Sequence, residues 1–173
     1  MASELTVQTI KGPTSGANAN KVIIPSGHTL DASGGTLVPS AGQVVQVVKM
    51  TPTNSALSTT SSTFTRTNLA LSITPKFANS LIKIELTACF LNQGGELQAQ
   101  LYKDQVVSNL LPETQIHGDY DGNGQYASYS QIYYHSPNTT NTTEYALYVR
   151  RNGSTGTCYV YRAQYMLLTE IAQ

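Results

Sequence analysis

Between Ser80 and Phe90 the chain alternates strictly. Ile82, Ile84, Leu86, Ala88 and Phe90 fall on one side, and Lys83, Glu85, Thr87 and Cys89 on the other. Only an extended strand gathers every second residue on one face, so this stretch is a half-buried strand. The same period recurs in Leu69, Leu71 and Ile73, closed by Pro75, and in Leu97, Ala99 and Leu101 after Gly94-Gly95. It recurs again in Tyr145, Leu147 and Val149. Further strands are expected over Gln43–Met50, Gln125–His135 and Thr157–Ile171, with Arg151-Asn152-Gly153-Ser154 as a hairpin turn joining the Tyr145–Val149 strand to the last. No helix of ordinary length is visible. Seven or eight strands at this spacing predict an all-β, antiparallel β-sandwich of jelly-roll-like form.

The polarity of the chain is mostly uncharged. Ten basic residues balance ten acidic ones, only 12% of residues are charged, and Thr, Ser, Asn and Gln supply about a third of the 173 residues. A balanced charge gives no field to draw nucleic acid or an anionic membrane onto the surface. No run approaches the length of apolar chain that a membrane span needs. Met1–Leu30 lacks a basic segment followed by an apolar one, so no secretory signal is expected.

Residues 1–42 differ from the rest. They are rich in Gly, Ser, Thr, Asn and Pro, with short apolar pieces at Val22-Ile23-Ile24, Leu30 and Leu37-Val38, each followed or preceded by turn residues. Such pieces cannot form a core alone. The segment reads either as a linker or, as its spaced apolar pieces favour, as an extended docking stem completed by other copies or a partner. Residues 43–173 then form the sandwich head.

Some strands lack a polar face. Val44, Val45, Val47 and Val48 are apolar on both sides, as are Tyr159, Tyr161, Tyr165 and Leu167 opposite Val160, Met166 and Leu168. A small sandwich needs a second cover for such strands, and another copy of the chain supplies it most simply. All eleven tyrosines lie at Tyr102 or later. Their rings and hydroxyls suit interfaces, although core packing explains many tyrosines equally well.

Chemistry is sparse. No nucleophile elbow, phosphate loop or His-rich helix occurs, so no catalytic residue and no enzyme activity is assigned. Cys89 and Cys158 show no metal-ligand spacing and are expected as free thiols. Asp119-Tyr120-Asp121-Gly122-Asn123-Gly124 matches the first half of a calcium loop, with Asp119, Asp121 and Asn123 as candidate ligands. Ser130 stands where the closing carboxylate belongs, and the same residues also make an ordinary polar turn. No cofactor is expected beyond that Ca2+ alternative. Tyr120, Tyr126 and Tyr129 are candidates for stacking on a host surface glycan.

The run Ser40-Ala41-Gly42-Gln43-Val44-Val45-Gln46-Val47-Val48 is followed by Ser61-Ser62-Thr63-Phe64, Leu69–Pro75 and Ser80–Ile84, and the chain closes with Leu167–Ala172. In this order the motifs resemble small virion structural proteins of tailed bacteriophages of marine bacteria. Lys21–Asp31 is similar to the lead-in ahead of that domain. The resemblance implies a homotrimeric tail-fibre, spike or capsid-decoration subunit located in the virion and bound to other virion proteins through its N-terminal segment. It implies no catalytic residues. The leading expectation is therefore an oligomeric virion subunit, docked through Val22, Ile23, Ile24, Leu30, Leu37 and Val38. The alternative is a receptor- or carbohydrate-binding module acting through Tyr-rich loops.

Overall fold

The computed structural model describes residues 10–19, 21–29, 38–51, 56–93, 96–105, 114–116, 125–152, 156–160 and 164–173. The chain divides into two compact units, 1–38 and 39–173. The division falls ahead of the Gly42 boundary expected from composition. Its physical reason is backbone pairing: Gly42 N–H donates to Ala172 C=O at 2.8 Å, and Ala172 N–H donates to Gln43 C=O at 2.9 Å. These bonds tie the residues just before the first strand to the end of the head.

The head is built from strands alone among the described residues. In chain order they are β1 (Val44–Lys49), β2 (Leu57–Thr59), β3 (Thr65–Ile73), β4 (Leu81–Gln93) and β5 (Glu96–Lys103). There follow β6 (Thr114–Ile116), β7 (Gln125–His135), β8 (Thr143–Asn152), β9 (Thr157–Val160) and β10 (Tyr165–Ile171). All pairings are antiparallel.

Along one edge of β4 lies β7; along the other lie β10, beside Leu81–Thr87, and then β9, beside Phe90–Gln93. Two described pieces of the expected strand Thr157–Ile171, β9 and β10, thus share this edge of β4. Two further strands pair with them in turn, β1 with β10 and β2 with β9. Counting each such couple as one strand, the first sheet runs β1/β2, β9/β10, β4, β7, and the second runs β3, β8, β5, β6.

This order is nested. The first strand pairs with the last, β3 with β8, β4 with β7, and β5 with β6. A single long hairpin rolled on itself produces such nesting, and two four-stranded sheets connected this way form a jelly roll. The nesting also corrects the hairpin expected at Arg151–Ser154. Asn152 closes β8 in the second sheet, paired with Glu96, while Cys158 in β9 pairs with Thr59 in the first sheet. The link between them crosses from sheet to sheet.

Alternation fixes which face is buried. Ile82, Ile84, Leu86, Ala88 and Phe90 of β4 meet Leu97, Ala99 and Leu101 of β5 and Tyr145, Leu147 and Val149 of β8 in one core. Leu69, Ile73, Tyr129, Cys158, Val160, Met166 and Leu168 complete it. Each such side chain contributes about 1.5–3 kcal/mol by leaving water.

In the N-terminal unit the described residues form turns and irregular chain with no strand. Ala19 N–H donates to Gly16 C=O and Lys21 N–H to Asn18 C=O, closing a loop that brings Gly12 against the Lys21 backbone. A Cβ at Gly12 would collide with that backbone, so only glycine fits there.

Candidate functional site

Four side chains, Phe64 just ahead of β3, Tyr102 of β5, and Tyr148 and Arg150 of β8, converge on the outer face of the second sheet. In β5 and β8 the core-facing parity is taken by Leu97, Ala99, Leu101 and by Tyr145, Leu147, Val149, so Gln98, Gln100, Tyr102, Tyr148 and Arg150 take the opposite parity. The Tyr102 and Tyr148 rings stack at 4.0 Å with an interplanar angle of 22°. Phe64, just ahead of β3, tilts against Tyr102 at 5.8 Å. The Arg150 guanidinium lies 4.7 Å over the Phe64 ring, and its Nε donates to Gln98 Oε1 at 2.7 Å.

An outer sheet face is ordinarily wet. Here Gln98, Gln100 and Tyr102 are buried, at 5%, 9% and 5% exposure. Gln100 and Tyr102, with Ser62, Thr63, Phe64, Gln105, Tyr148 and Arg150, line an open hollow of about 480 Å³. Its lining combines three aromatic rings with the amides of Gln100 and Gln105 and the hydroxyls of Ser62 and Thr63. Arg150 is the only charged residue of that lining among the described residues. Asp104 and Gln105 adopt left-handed backbone conformations, with φ of 49° and 61°. That turn, which also receives the Glu144 N–H on Asp104 Oδ1 at 2.8 Å, places Gln105 at the rim.

The outer face of the first sheet is different in kind. Registered across it are the rows Ile132–Glu85–Leu167–Lys49 and Tyr134–Lys83–Thr169–Val47, then Leu81–Ile171–Val44. Lys83 and Glu85 pair with each other at 3.0 Å within β4. Around them Val44, Val47, Ile132 and Tyr134 are all more than half exposed. The two-faced apolar strands expected from sequence therefore do leave apolar side chains outside.

The residues singled out from sequence are scattered. Tyr126 is 64% exposed on the outer side of β7, opposite Leu91. Tyr129, expected as a receptor contact, is instead a core residue. Its parity on β7 points inward, its ring meets Phe90 edge-on at 5.6 Å, and its hydroxyl bonds that of Tyr133 at 3.0 Å. Tyr120, Asp119, Asp121 and Asn123 lie outside the described residues, as do Leu30 and Leu37. Val22, Ile23, Ile24 and Val38 are exposed. Among the described residues no three His, Cys, Asp or Glu side chains gather as metal ligands, and no helix is long and apolar enough to cross a membrane.

The titratable groups of the core serve the fold. His135 Nδ1 and the Tyr145 hydroxyl bond at 2.8 Å, joining the first sheet to the second. Burial, and then the Lys103 charge, hold the His135 pKa below its ordinary value, while burial drives that of Tyr145 upward. Burial also pushes the Cys158 thiol up to about 11.

The Phe64, Tyr102, Tyr148 and Arg150 cluster was not anticipated from sequence. Its signal was present, since Tyr102 and Tyr148 break the polar parity of two otherwise regular strands. The chain matches no protein-family model and no curated protein sequence.

Proposed function

We propose that the chain is a virion structural protein of a tailed bacteriophage, an oligomeric fibre, spike or decoration subunit held to the particle by its N-terminal unit. The observation that carries self-association is the outer face of the first sheet. Where β1, β10, β4 and β7 run side by side, over the six or seven residues of β1 and β10, strands about 4.8 Å apart and about 22 Å long present a plane of about 400 Å². Stable protein interfaces bury about 800 Å² per partner, so this face supplies about half of one. Its charges are few, the Lys83–Glu85 pair and Lys49, which favours a like surface over a strongly charged partner. We assign the cover to further copies of the chain, three around a common axis, in keeping with the resemblance to phage appendage proteins. Exposed Val22, Ile23 and Ile24 supply apolar contacts for the particle.

The mass of the full chain in solution tests this. Three times 18.6 kDa is expected. A monomer at micromolar concentration overturns the self-association reading, and a dimer overturns the threefold arrangement.

The second reading, recognition of a host glycan through Tyr-rich loops, keeps support from Tyr126 alone among its described candidates, because Tyr129 packs in the core.

A further inference from the structure

On the outer face of the first sheet, beyond the Lys49 end of β1, we infer a saccharide-binding platform formed by Tyr126, Tyr159 and Tyr165 and suited to an extended sugar chain. It rests on the second reading for the class of its ligand, and it gives Tyr126 companions on β9 and β10.

Strand register assembles the platform. One row across the sheet is Tyr126–Leu91–Tyr159–Ser58. The next holds Ser128 beside Cys89, and the one after runs Ser130–Thr87–Tyr165. The Tyr126 and Tyr159 positions are two strand spacings apart, about 10 Å, and the row of Tyr165 lies about 14 Å further along the strands. These residues have the parity opposite to the core-facing Ala88, Phe90, Val160 and Met166, so their side chains leave the sheet outward. Tyr126, Ser58, Ser128 and Ser130 are exposed, and Tyr159 and Tyr165 are half-buried.

Composition separates this region from the rest of the face. The rows that β1 joins carry Lys49, Lys83 and Glu85 among aliphatic side chains. In the three rows of the platform tyrosines and hydroxyl residues take their place, and no described side chain is charged. Tyrosine with serine suits recognition, because a stiff ring supplies contact area at little entropic cost and small hydroxyls adapt their bonds. A pyranose has C–H groups on its faces and hydroxyls around its rim. It stacks on phenol rings and bonds to hydroxyls that both donate and accept. The Tyr159 and Tyr165 hydroxyls have no hydrogen-bond partner among the described residues, which leaves them to a ligand.

Shape selects among sugars. Rings set at separate places on one sheet face need a ligand that stays in contact along its length. A β-linked glucan is a ribbon in which every second unit turns the same face down, at an interval close to the Tyr126–Tyr159 spacing. An α-linked glucan coils away from such a surface.

Calorimetric titration of the full chain with cellohexaose, a β-linked ribbon, and with maltohexaose, an α-linked coil, tests the platform. Cellohexaose is expected to bind about ten-fold more tightly. Tyr126→Ala and Tyr159→Ala should each weaken it about ten-fold, and Tyr165→Ala about three-fold or more. Ser128→Arg, at an exposed position between the two tyrosine rows, should block it. Tyr134→Ala removes an exposed tyrosine from the charged part of the same face and should change nothing. If Tyr159→Ala does not fold, the exposed Tyr126 and Ser128 positions carry the test. Binding that Tyr159→Ala and Ser128→Arg leave intact overturns the platform and keeps the second reading, as does a loss in Tyr134→Ala equal to that in Tyr126→Ala. Absence of binding by either sugar at about 10 mM overturns both. Equal binding of the two sugars overturns the preference for an extended chain.

Discussion

Ser80 Oγ donates to Glu170 Oε1 at 2.6 Å, and neither residue is exposed at all. The same carboxylate accepts the backbone N–H groups of Lys76 and Phe77 at 2.8 and 3.2 Å, and its Oε2 accepts Gln46 Nε2 at 2.6 Å. One side chain near the end of β10 thus organises the crossover from β3 to β4 and the adjacent part of β1. Burial alone would raise the carboxyl pKa, but the bonds from Ser80, Gln46 and the two backbone groups outweigh it and hold the pKa below its ordinary value. Ser80→Ala should destabilise the head by about 2 kcal/mol, because a charged buried acceptor loses its donor. Chemical denaturation checks this. An unaltered midpoint would mean that the bond contributes nothing net.

Acid should unfold the head in two stages, and the sign follows from the two lowered pKa values. A group whose pKa falls on folding stabilises the native state fully above its unfolded pKa and loses that contribution as pH falls through the folded value. His135 begins to lose its contribution below its ordinary 6.5, and Glu170 below its ordinary 4.5. The groups acting on His135 are Lys103, which opposes its charging, and Asp104, which favours it. Melting temperature against pH should therefore decline from about 6.5 downward and more steeply below about 4.5. His135→Gln should flatten the upper limb alone. A curve with one limb, unaltered in that variant, would remove His135 from the explanation.

Self-association should fail when the apolar outer face of the first sheet is charged. Ile132 and Val47 are 54% and 55% exposed, so a lysine at either place meets water in the isolated chain and costs the fold little. In an assembly the same ammonium would be buried without a partner, at a cost of several kcal/mol. Ile132→Lys combined with Val47→Lys is expected to give a monomer with the parent's strand content by circular dichroism. An oligomer of unaltered mass would show that another surface holds the copies together.

The strands of the sandwich were legible because alternation survives in β3, β4, β5 and β8, each with one face in the core. Ile82 to Phe90 could be read as one face of a strand without any other information. What alternation cannot encode is the sheet to which a strand belongs. Asn152-Gly153 suits a hairpin locally, yet the rolled topology sends its two flanking strands to different sheets. Register was equally invisible, since Val160 and Tyr165 belong to one alternating run, yet Val160 pairs with Phe90 and Tyr165 with Thr87, five positions along one chain against three along β4. Tyr129 was misplaced for a related reason. In a run with tyrosines at 126, 129, 133 and 134, composition does not choose a parity, and contact with Phe90 does. The aromatic hollow joins residues from positions 64 to 150, and proximity of that kind is a property of strand order.

The boundary between the units should show in truncation. A chain starting at Pro39 keeps the bond from Gly42 to Ala172, whereas one starting at Gln43 loses it. A backbone hydrogen bond contributes about 1 kcal/mol, which for a domain of this size is a few degrees of melting temperature. The 39–173 chain should therefore melt a few degrees above the 43–173 chain. Equal melting temperatures would put the start of the head at Gln43.

The two cysteines should differ sharply toward an alkylating reagent. Both are free, and they cannot pair. In the register of β4 with β9, Asn92 is the partner of Cys158, and Cys89 has the opposite parity from the core-facing Phe90. Cys89 is half-buried on the outer face, whereas Cys158 is 1% exposed with its thiol pKa raised to about 11. The thiolate is the reacting form, so a thiol of pKa about 11 is almost wholly protonated at pH 8 even before access is considered. Iodoacetamide at pH 8 should label Cys89 in the native protein and reach Cys158 only as the head unfolds, making Cys158 labelling a measure of global opening. Mass spectrometry of partially labelled protein decides the order. Simultaneous labelling of both would show that β9 opens locally, and a protein with no reactive thiol in denaturant would contradict the free state of both.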